Sequence, residues 1–171
     1  WPQVVAGVEA IVVSASGCGV MVKDYGDLLK DDPAYADKAA RISLLTRDLG
    51  EILVQEDLGS LCRATTPRRI AFHAPCTLQH GLRLTGNVET VLTRLGFELS
   101  EVRDAHLCCG SAGSYSILQP DIAQRLRADK LEALQEGKPE LIATANVGCQ
   151  LHLAGASTVP VVHWIELLDE A

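Results

Sequence analysis

The sequence predicts an α/β fold, a Rossmann-like parallel sheet flanked by helices, with cysteine loops at the C-terminal ends of the strands. Three observations predict it. Short apolar runs alternate with stretches of helical periodicity, the order that gives a parallel sheet covered by helices. Apolar residues make up 47% of the 171, with few aromatics and mostly alanine, valine and leucine, as helices on a buried parallel sheet require. Cys18, Cys76, Cys108, Cys109 and Cys149 each follow an apolar run, and in such sheets functional groups gather beyond the strand ends.

Residues 9–14 read as a buried strand and 18–29 as a helix after a glycine turn. Asp32-Pro33 breaks that helix, Asp32 as a cap and Pro33 at a first helical position. A long amphipathic helix is expected from about 34 to 58, with Ile42, Leu45, Leu49, Ile52 and Leu53 at helical spacing. Residues 59–67, with Cys62 and the turn former Pro67, read as a linker. Residues 69–73 read as a strand that delivers Pro75 and Cys76 into a loop. A helix over 78–95 ends at Gly96, and a strand over 97–102 feeds the loop of Cys108 and Cys109. Pro120 opens a helix through Ala123, Leu126, Lys130 and Leu134, stopped by Gly137 and Pro139. Strands at 141–145 and 159–162 follow, and a terminal helix at 164–168. The glycine fingerprint of dinucleotide binding is absent after every strand, so no nucleotide site is expected.

A net charge of −7 with no basic cluster argues against a nucleic-acid surface. No apolar run approaches the ~20 residues of a membrane span, and no signal peptide is visible. A cytoplasmic location is expected. Six cysteines raise the possibility of a secreted, disulfide-linked fold, but such scaffolds are short and loop-rich, and this chain is long, apolar and helical.

The cysteines carry a better reading. Thirty-one residues separate Cys76 from Cys108, and thirty-nine separate Cys109 from Cys149. An adjacent Cys108-Cys109 pair at a glycine turn reads as two metal ligands. Four thiolates from three loops make a soft pocket of the kind that selects iron–sulfur clusters, zinc or Cu(I). Gly110, Gly113 and Gly148 would allow close backbone approach, with amides available to sulfur. His73 and His80 flank Cys76 and are expected to support the site by hydrogen bonding, with direct ligation the less favoured role. His106 is similar. Cys149-x-x-His152 is a candidate zinc-type pair, weighed against a histidine on the helix face. Cys62 belongs to no motif, and Tyr115 and Trp164 read as packing residues.

The pattern of a cysteine, a gap of thirty-odd residues, Cys-Cys-Gly and a further cysteine resembles the cysteine-rich CCG domain. Proteins such as the B subunit of heterodisulfide reductase carry that domain twice and hold iron–sulfur clusters with it. The segments Cys76-Thr77-Leu78-Gln79-His80-Gly81, Cys108-Cys109-Gly110-Ser111-Ala112-Gly113-Ser114-Tyr115-Ser116, Gly148-Cys149-Gln150-Leu151-His152-Leu153 and Val162-His163-Trp164-Ile165-Glu166 are similar to the iron–sulfur subunits of bacterial glycolate oxidases. Ser16-Gly17-Cys18-Gly19 belongs to the same likeness. The resemblance implies a 4Fe-4S cluster on Cys76, Cys108, Cys109 and Cys149, with zinc as the alternative. It implies electron transfer from flavoprotein subunits towards a quinone or other membrane acceptor, with peripheral attachment at the inner membrane face through the complex. A lactate dehydrogenase complex is the alternative assembly. One departure stands out: the first cysteine of the family's Cys-x-x-Cys is Asn146 here. Asn146 is therefore expected to point at the pocket and donate a hydrogen bond to sulfur.

Residues 9–18 match 140–149 at an offset of 131, each an apolar run ending in Gly-Cys, which suggests a duplicated unit. The expectation is a tail of a first CCG repeat plus the long helix over 1–58, a linker over 59–67 and a complete second repeat over 68–171. Cys18 is then a ligand whose companions lie upstream, and the family's ferredoxin-type N-terminal domain is missing from this chain.

Overall fold

The computed structural model describes residues 1–60 and 68–169; most of the expected linker, including Cys62 and Pro67, lies outside them. In the first part, α1 (Pro2–Val5) leads to β1 (Ile11–Val13), α2 (Ser16–Lys23), α3 (Tyr25–Leu28), α4 (Ala36–Leu45), β2 (Thr46–Asp48) and α5 (Leu49–Leu53). In the second, β3 (Arg69–His73) precedes a π turn at Thr77–Gly81, α6 (Asn87–Arg94), β4 (Glu98–Leu99), α7 (Tyr115–Leu118), α8 (Pro120–Gln135), β5 (Leu141–Thr144), α9 (Val147–Ala154) and β6 (Val161–His163). A 3-10 turn at Trp164–Leu168 closes the described chain.

The main sheet has the order β4-β3-β5-β6, and every pair in it is parallel. Side chains alternate between its faces, so the register of Ile70 with Leu141 and Phe72 with Ala143 sets one face. That face packs on Val88, Val91 and Leu92 of α6, and on Trp164 and Leu167. The opposite face carries Ala71 and Ile142, which pack with Leu131 and Leu134 of α8, Leu153 of α9, Cys109 and Cys149. Helices thus cover both faces, as the alternating sequence predicted.

Local chemistry explains the helices. Gly86 (φ +85°) turns the chain into α6, whose Val88, Val91 and Leu92 recur on one stripe and are fully buried. Each such side chain contributes about 1.5–3 kcal/mol by leaving water. Gly96 (φ +92°) stops the helix, in the left-handed region that glycine enters without steric cost. Pro120 occupies the first turn of α8, where its missing N–H is not needed.

Three expectations are corrected. The helix expected from 34 to 58 is α4, then strand β2, then α5. β2 pairs in parallel with β1, Ile11 facing Thr46 and Val13 facing Asp48. The Asp48 carboxylate then restarts the helix, accepting the Gly50 N–H at 2.8 Å while Glu51 accepts the Asp48 N–H at 2.9 Å. This capping box, Asp-x-x-Glu, was legible in the sequence; the hydrophobic spacing of Leu45 and Leu49 across it masked the break. Residues 18–29 likewise form two helices, with Asp24 between them. The helix expected over 78–95 begins as a π turn and reverses near Arg83 (φ +58°) before α6 starts.

The first part repeats the order of the last. β1 and α2 correspond at the 131-residue offset to β5 and α9, and both helices run for eight residues. Each is followed later by a strand ending in a capping box, Asp48 with Glu51 and His163 with Glu166. Contacts join the two parts. The Ser16 N–H donates to the Ala145 carbonyl at 3.1 Å, and the Ser16 and Thr77 hydroxyls meet at 2.7 Å. His163 Nε2 donates to the Ser14 carbonyl at 3.0 Å, which leaves Nδ1 to accept from the Ile165 N–H at 3.4 Å.

Asp48→Ala removes the cap of α5 and should destabilise the chain by about 1–2 kcal/mol in urea unfolding. His163 is held neutral by burial, which lowers its pKa from 6.5 against the opposing pull of the Ser14 bond and Glu166. A lowered folded-state value gives stability that is complete above pH 6.5 and declines as pH falls through that lowered value. The NMR titration of His163 should have its midpoint below 6.5, and His163→Asn should reduce the acid-side slope of stability. A midpoint at or above 6.5 contradicts this assignment.

Candidate metal centre

Three adjacent strands deliver the four predicted cysteines to one edge of the sheet. Cys76 opens the π turn after β3. Cys108 and Cys109 lie in the loop between β4 and α7, and Cys149 in the first turn of α9 after β5. Cys109 and Cys149 are buried, whereas Cys76 and Cys108 are half-buried; all four are free thiols. The sulfurs act on one another in a row, Cys76 with Cys108, Cys108 with Cys109, and Cys109 with Cys149.

Burial and crowding raise the pKa of three of these thiols, Cys76, Cys108 and Cys109. Burial pushes Cys76 up, and the neighbouring Cys108 adds to it. The Cys109 sulfur pushes Cys108 up further, with burial second. Cys109 is pushed up to about 12: contact with Cys108, its largest influence, lowers it, but contact with Cys149 and burial outweigh that effect. A bound cation would supply the charge compensation that thiolates here lack, with protons released on binding.

His73 joins this group more closely than the sequence suggested. Strand alternation puts its side chain on the face of Ala71 and Ile142, the face that carries Cys109 and Cys149. A ring nitrogen of His73 and the sulfurs of Cys109 and Cys149 all lie within 4.8 Å of one another. The ring is 2% exposed, and neither nitrogen has a hydrogen-bond partner among the described residues. Burial, with the Lys130 charge second, lowers its pKa to about 3, so the ring is neutral. Orphaning a buried polar group costs about 1–3 kcal/mol, which a metal partner would recover. Soft thiols beside a neutral, unpartnered imidazole are a donor set that fits a soft or borderline metal.

The surrounding backbone is shaped for this packing. Gly110 has φ +87°, its N–H donates to Cys108 Sγ at 3.3 Å, and a Cβ there would stand 2.4 Å from the Ala123 carbonyl. The amide to sulfur read from the sequence is present at Gly110, whereas the close approach seen here is to the backbone of α8. Gly148 serves differently, since its N–H donates to Asn146 Oδ1 at 2.8 Å.

Lys130 was missed as part of the site. It is 3% exposed and donates to the carbonyls of Asp104 at 2.9 Å and Ala105 at 3.3 Å, tethering the loop that leads to Cys108. Burial lowers its pKa, opposed chiefly by the charge of Cys109 and then by Asp104 and Cys108. The signal was its place on the Ala123–Leu134 stripe of α8, where a charge needs a buried partner. A cleft of about 330 Å³ lies beside Cys108 and Lys130.

Several expected helpers stand elsewhere. Asn146 does not donate to sulfur. Its Oδ1 caps α9 through Gly148 and Cys149, and its Nδ2 donates to the Ser16 hydroxyl at 3.4 Å and the Thr77 hydroxyl at 3.5 Å. The physical reason is its place at the helix start, where a carbonyl oxygen answers the free amides of the first turn. His80 and His106 are exposed. His152 faces the Ala123 carbonyl at 3.4 Å and lies outside the His73–Cys109–Cys149 group. Cys18 is exposed on α2. Trp164 is a core residue, whereas Tyr115 is exposed.

Residues 70–154 match the cysteine-rich domain family named CCG. The chain is 54% identical over its full length to the glycolate oxidase iron-sulfur subunit of Escherichia coli K12, covering 42% of that protein. It is 32% identical to a probable glycolate oxidase iron-sulfur subunit of Bacillus subtilis, over 96% of this chain and 39% of the relative. Lactate utilization protein A of Bacillus subtilis is 30% identical, over 92% of this chain and 69% of that protein. The chain thus spans about two fifths of the glycolate oxidase relatives it matches.

Gly110→Ala forces a side chain into the left-handed region and against the Ala123 carbonyl. It should cost more than about 2 kcal/mol in denaturant unfolding, of which roughly 1–2 is backbone strain. Asn146→Ala should destabilise the metal-free chain by about 1 kcal/mol or more, and Asn146→Asp, which keeps the cap acceptor, should recover most of that loss.

Proposed function

The chain belongs to the cysteine-rich CCG domain family, and on that premise we propose that it is the iron–sulfur electron-transfer domain of a glycolate oxidase (glycolate dehydrogenase) complex. The observation that carries the reading is the row of four interacting sulfurs at the end of β3, β4 and β5. Cys76, Cys108, Cys109 and Cys149 would hold the group, a 4Fe-4S cluster in the first instance. Bound there, an iron–sulfur cluster supplies one-electron exchange at a potential set by its surroundings.

The chain's own residues supply those surroundings. Burial of Cys109 and Cys149 excludes water, the Gly110 N–H neutralises part of the Cys108 charge, and the Lys130 ammonium sets a positive charge against Cys108 and Cys109. The amide and the ammonium favour the more reduced, more negative state of a bound centre, whereas burial, which withholds water from added charge, opposes it. No nucleophile–base pair is drawn on, so substrate chemistry is assigned to flavoprotein partner subunits, with a quinone or another membrane acceptor downstream. No helix among the described residues is long and apolar enough to cross a membrane. With a glycolate oxidase complex as its assembly, the proposal places the chain in the cytoplasm, held at the inner membrane face by that complex. Glycolate is preferred over lactate as the complex's substrate because the likeness to the glycolate oxidase subunit is much the greater.

A structural zinc site is the second reading, and His73 beside Cys109 and Cys149 favours it, since mixed Cys/His sets suit zinc. Anaerobic purification decides between them. The iron–sulfur reading expects a brown protein with matching iron and sulfide and an electron paramagnetic resonance signal; a colourless, zinc-loaded protein refutes it. Cys109→Ser should abolish metal loading, while Cys62→Ser should leave it unchanged. Lys130→Met should lower the reduction potential measured by redox titration, with iron content retained.

A further inference from the structure

Among the described residues, His73 has no hydrogen-bond partner in this centre. Both its nitrogens are buried without a hydrogen bond, and so is Thr144 Oγ1, its neighbour across the β3–β5 register. The sheet holds the ring on the face of Cys109 and Cys149, with the three ligand atoms within 4.8 Å of one another. Ligands of a single thiolate–imidazole ion stand about 3.5–4 Å apart, from bonds of ~2.3 and ~2.0 Å, so a modest side-chain adjustment closes the set.

A second polar side chain close to the set is engaged elsewhere. Asn146, three residues before Cys149, spends its oxygen on the amides of α9 and its nitrogen on the Ser16 and Thr77 hydroxyls. Among the described residues, the His73 ring and Thr144 Oγ1 are the polar side chains left uncommitted on this face, and of the two imidazole is the metal-ligating group. We propose that His73 is a metal ligand of this centre, its imidazole nitrogen binding alongside the Cys109 and Cys149 thiolates in place of a further cysteine. The inference rests on the reading of the site as a metal centre. A neutral imidazole ligand carries one negative charge fewer than a thiolate, and replacement of cysteine by histidine on iron raises the reduction potential.

The test uses Co2+ added anaerobically to the metal-free full chain, with absorption and pulsed electron paramagnetic resonance as readouts. The expected result is a cobalt–thiolate charge-transfer band together with a nitrogen coupling that changes on 15N-histidine labelling and vanishes in His73→Leu. Loss of a supporting group outside the ligands weakens metal binding by about 10–100-fold; His73→Leu should exceed that range. Its metal-free form should melt no lower than wild type, because an orphaned buried ring is replaced by an apolar one. His73→Cys should keep Co2+, lose the nitrogen coupling and gain charge-transfer intensity.

Nitrogen coupling that persists in His73→Leu, or unchanged Co2+ affinity in that variant while Cys109→Ser loses it, overturns ligation by His73 and leaves the thiol site standing. Unaltered Co2+ binding in both variants overturns the metal centre and the proposal together. Nitrogen ligation of Co2+ in a chain that never accepts iron and sulfide supports His73 and removes the electron-transfer reading.

Discussion

The structure turns on the burial of crowded sulfur. Four thiols crowd at one sheet edge, two of them buried, and the net effect of burial and neighbouring sulfur raises the pKa of Cys76, Cys108 and Cys109. A packed core has no use for such an arrangement, since apolar side chains of similar volume would fill the space without the same electrostatic tension. The crowding makes physical sense around a cation, which converts mutual repulsion of thiolates into shared attraction. The elements beyond that edge act to keep those sulfurs in place.

The parallel sheet supplies the placement. Its strands all point the same way, so loops from β3, β4 and β5 leave at a common edge although their cysteines are scattered over more than seventy residues. The pleat then selects which side chains share the pocket: His73 falls beside Cys109 and Cys149, while Phe72 is committed to the opposite core. The loop of Cys108 and Cys109 has little regular structure of its own. It is held by the Gly110 backbone packed on α8 and by the Lys130 tether to Asp104 and Ala105. One helix therefore fixes the loop and carries the charge that faces its sulfurs.

The centre is also tied to the first part of the chain. Ser16, at the start of α2, meets Thr77, the residue after Cys76, and Asn146, the cap of the helix that carries Cys149. Two segments that bear site cysteines and one from the repeated unit thus share a small hydroxyl–amide node. Asn146 spends both its amide oxygen and its amide nitrogen on that node and the helix start.

Much of this was legible in the sequence. Strand-then-cysteine order, the Cys-Cys-Gly turn and the 131-residue offset are local patterns, and the convergence of Cys76, Cys108, Cys109 and Cys149 follows once the sheet is parallel. The role of Gly110 was legible too, because a glycine beside a ligand pair has few other reasons to be there. The break in the 34–58 helix was not read, because periodicity continued across it, and strand β2 exists only because β1 offers it a parallel edge. His73, Lys130 and Asn146 were decided by tertiary structure. Their roles depend on the face to which a pleat turns a side chain, the buried carbonyls an ammonium can reach, and the amides that stand unpaired at a helix start. The His73 face and the carbonyls that Lys130 reaches are relations between segments distant in the chain; the Asn146 cap is local, but its ties to Ser16 and Thr77 are not.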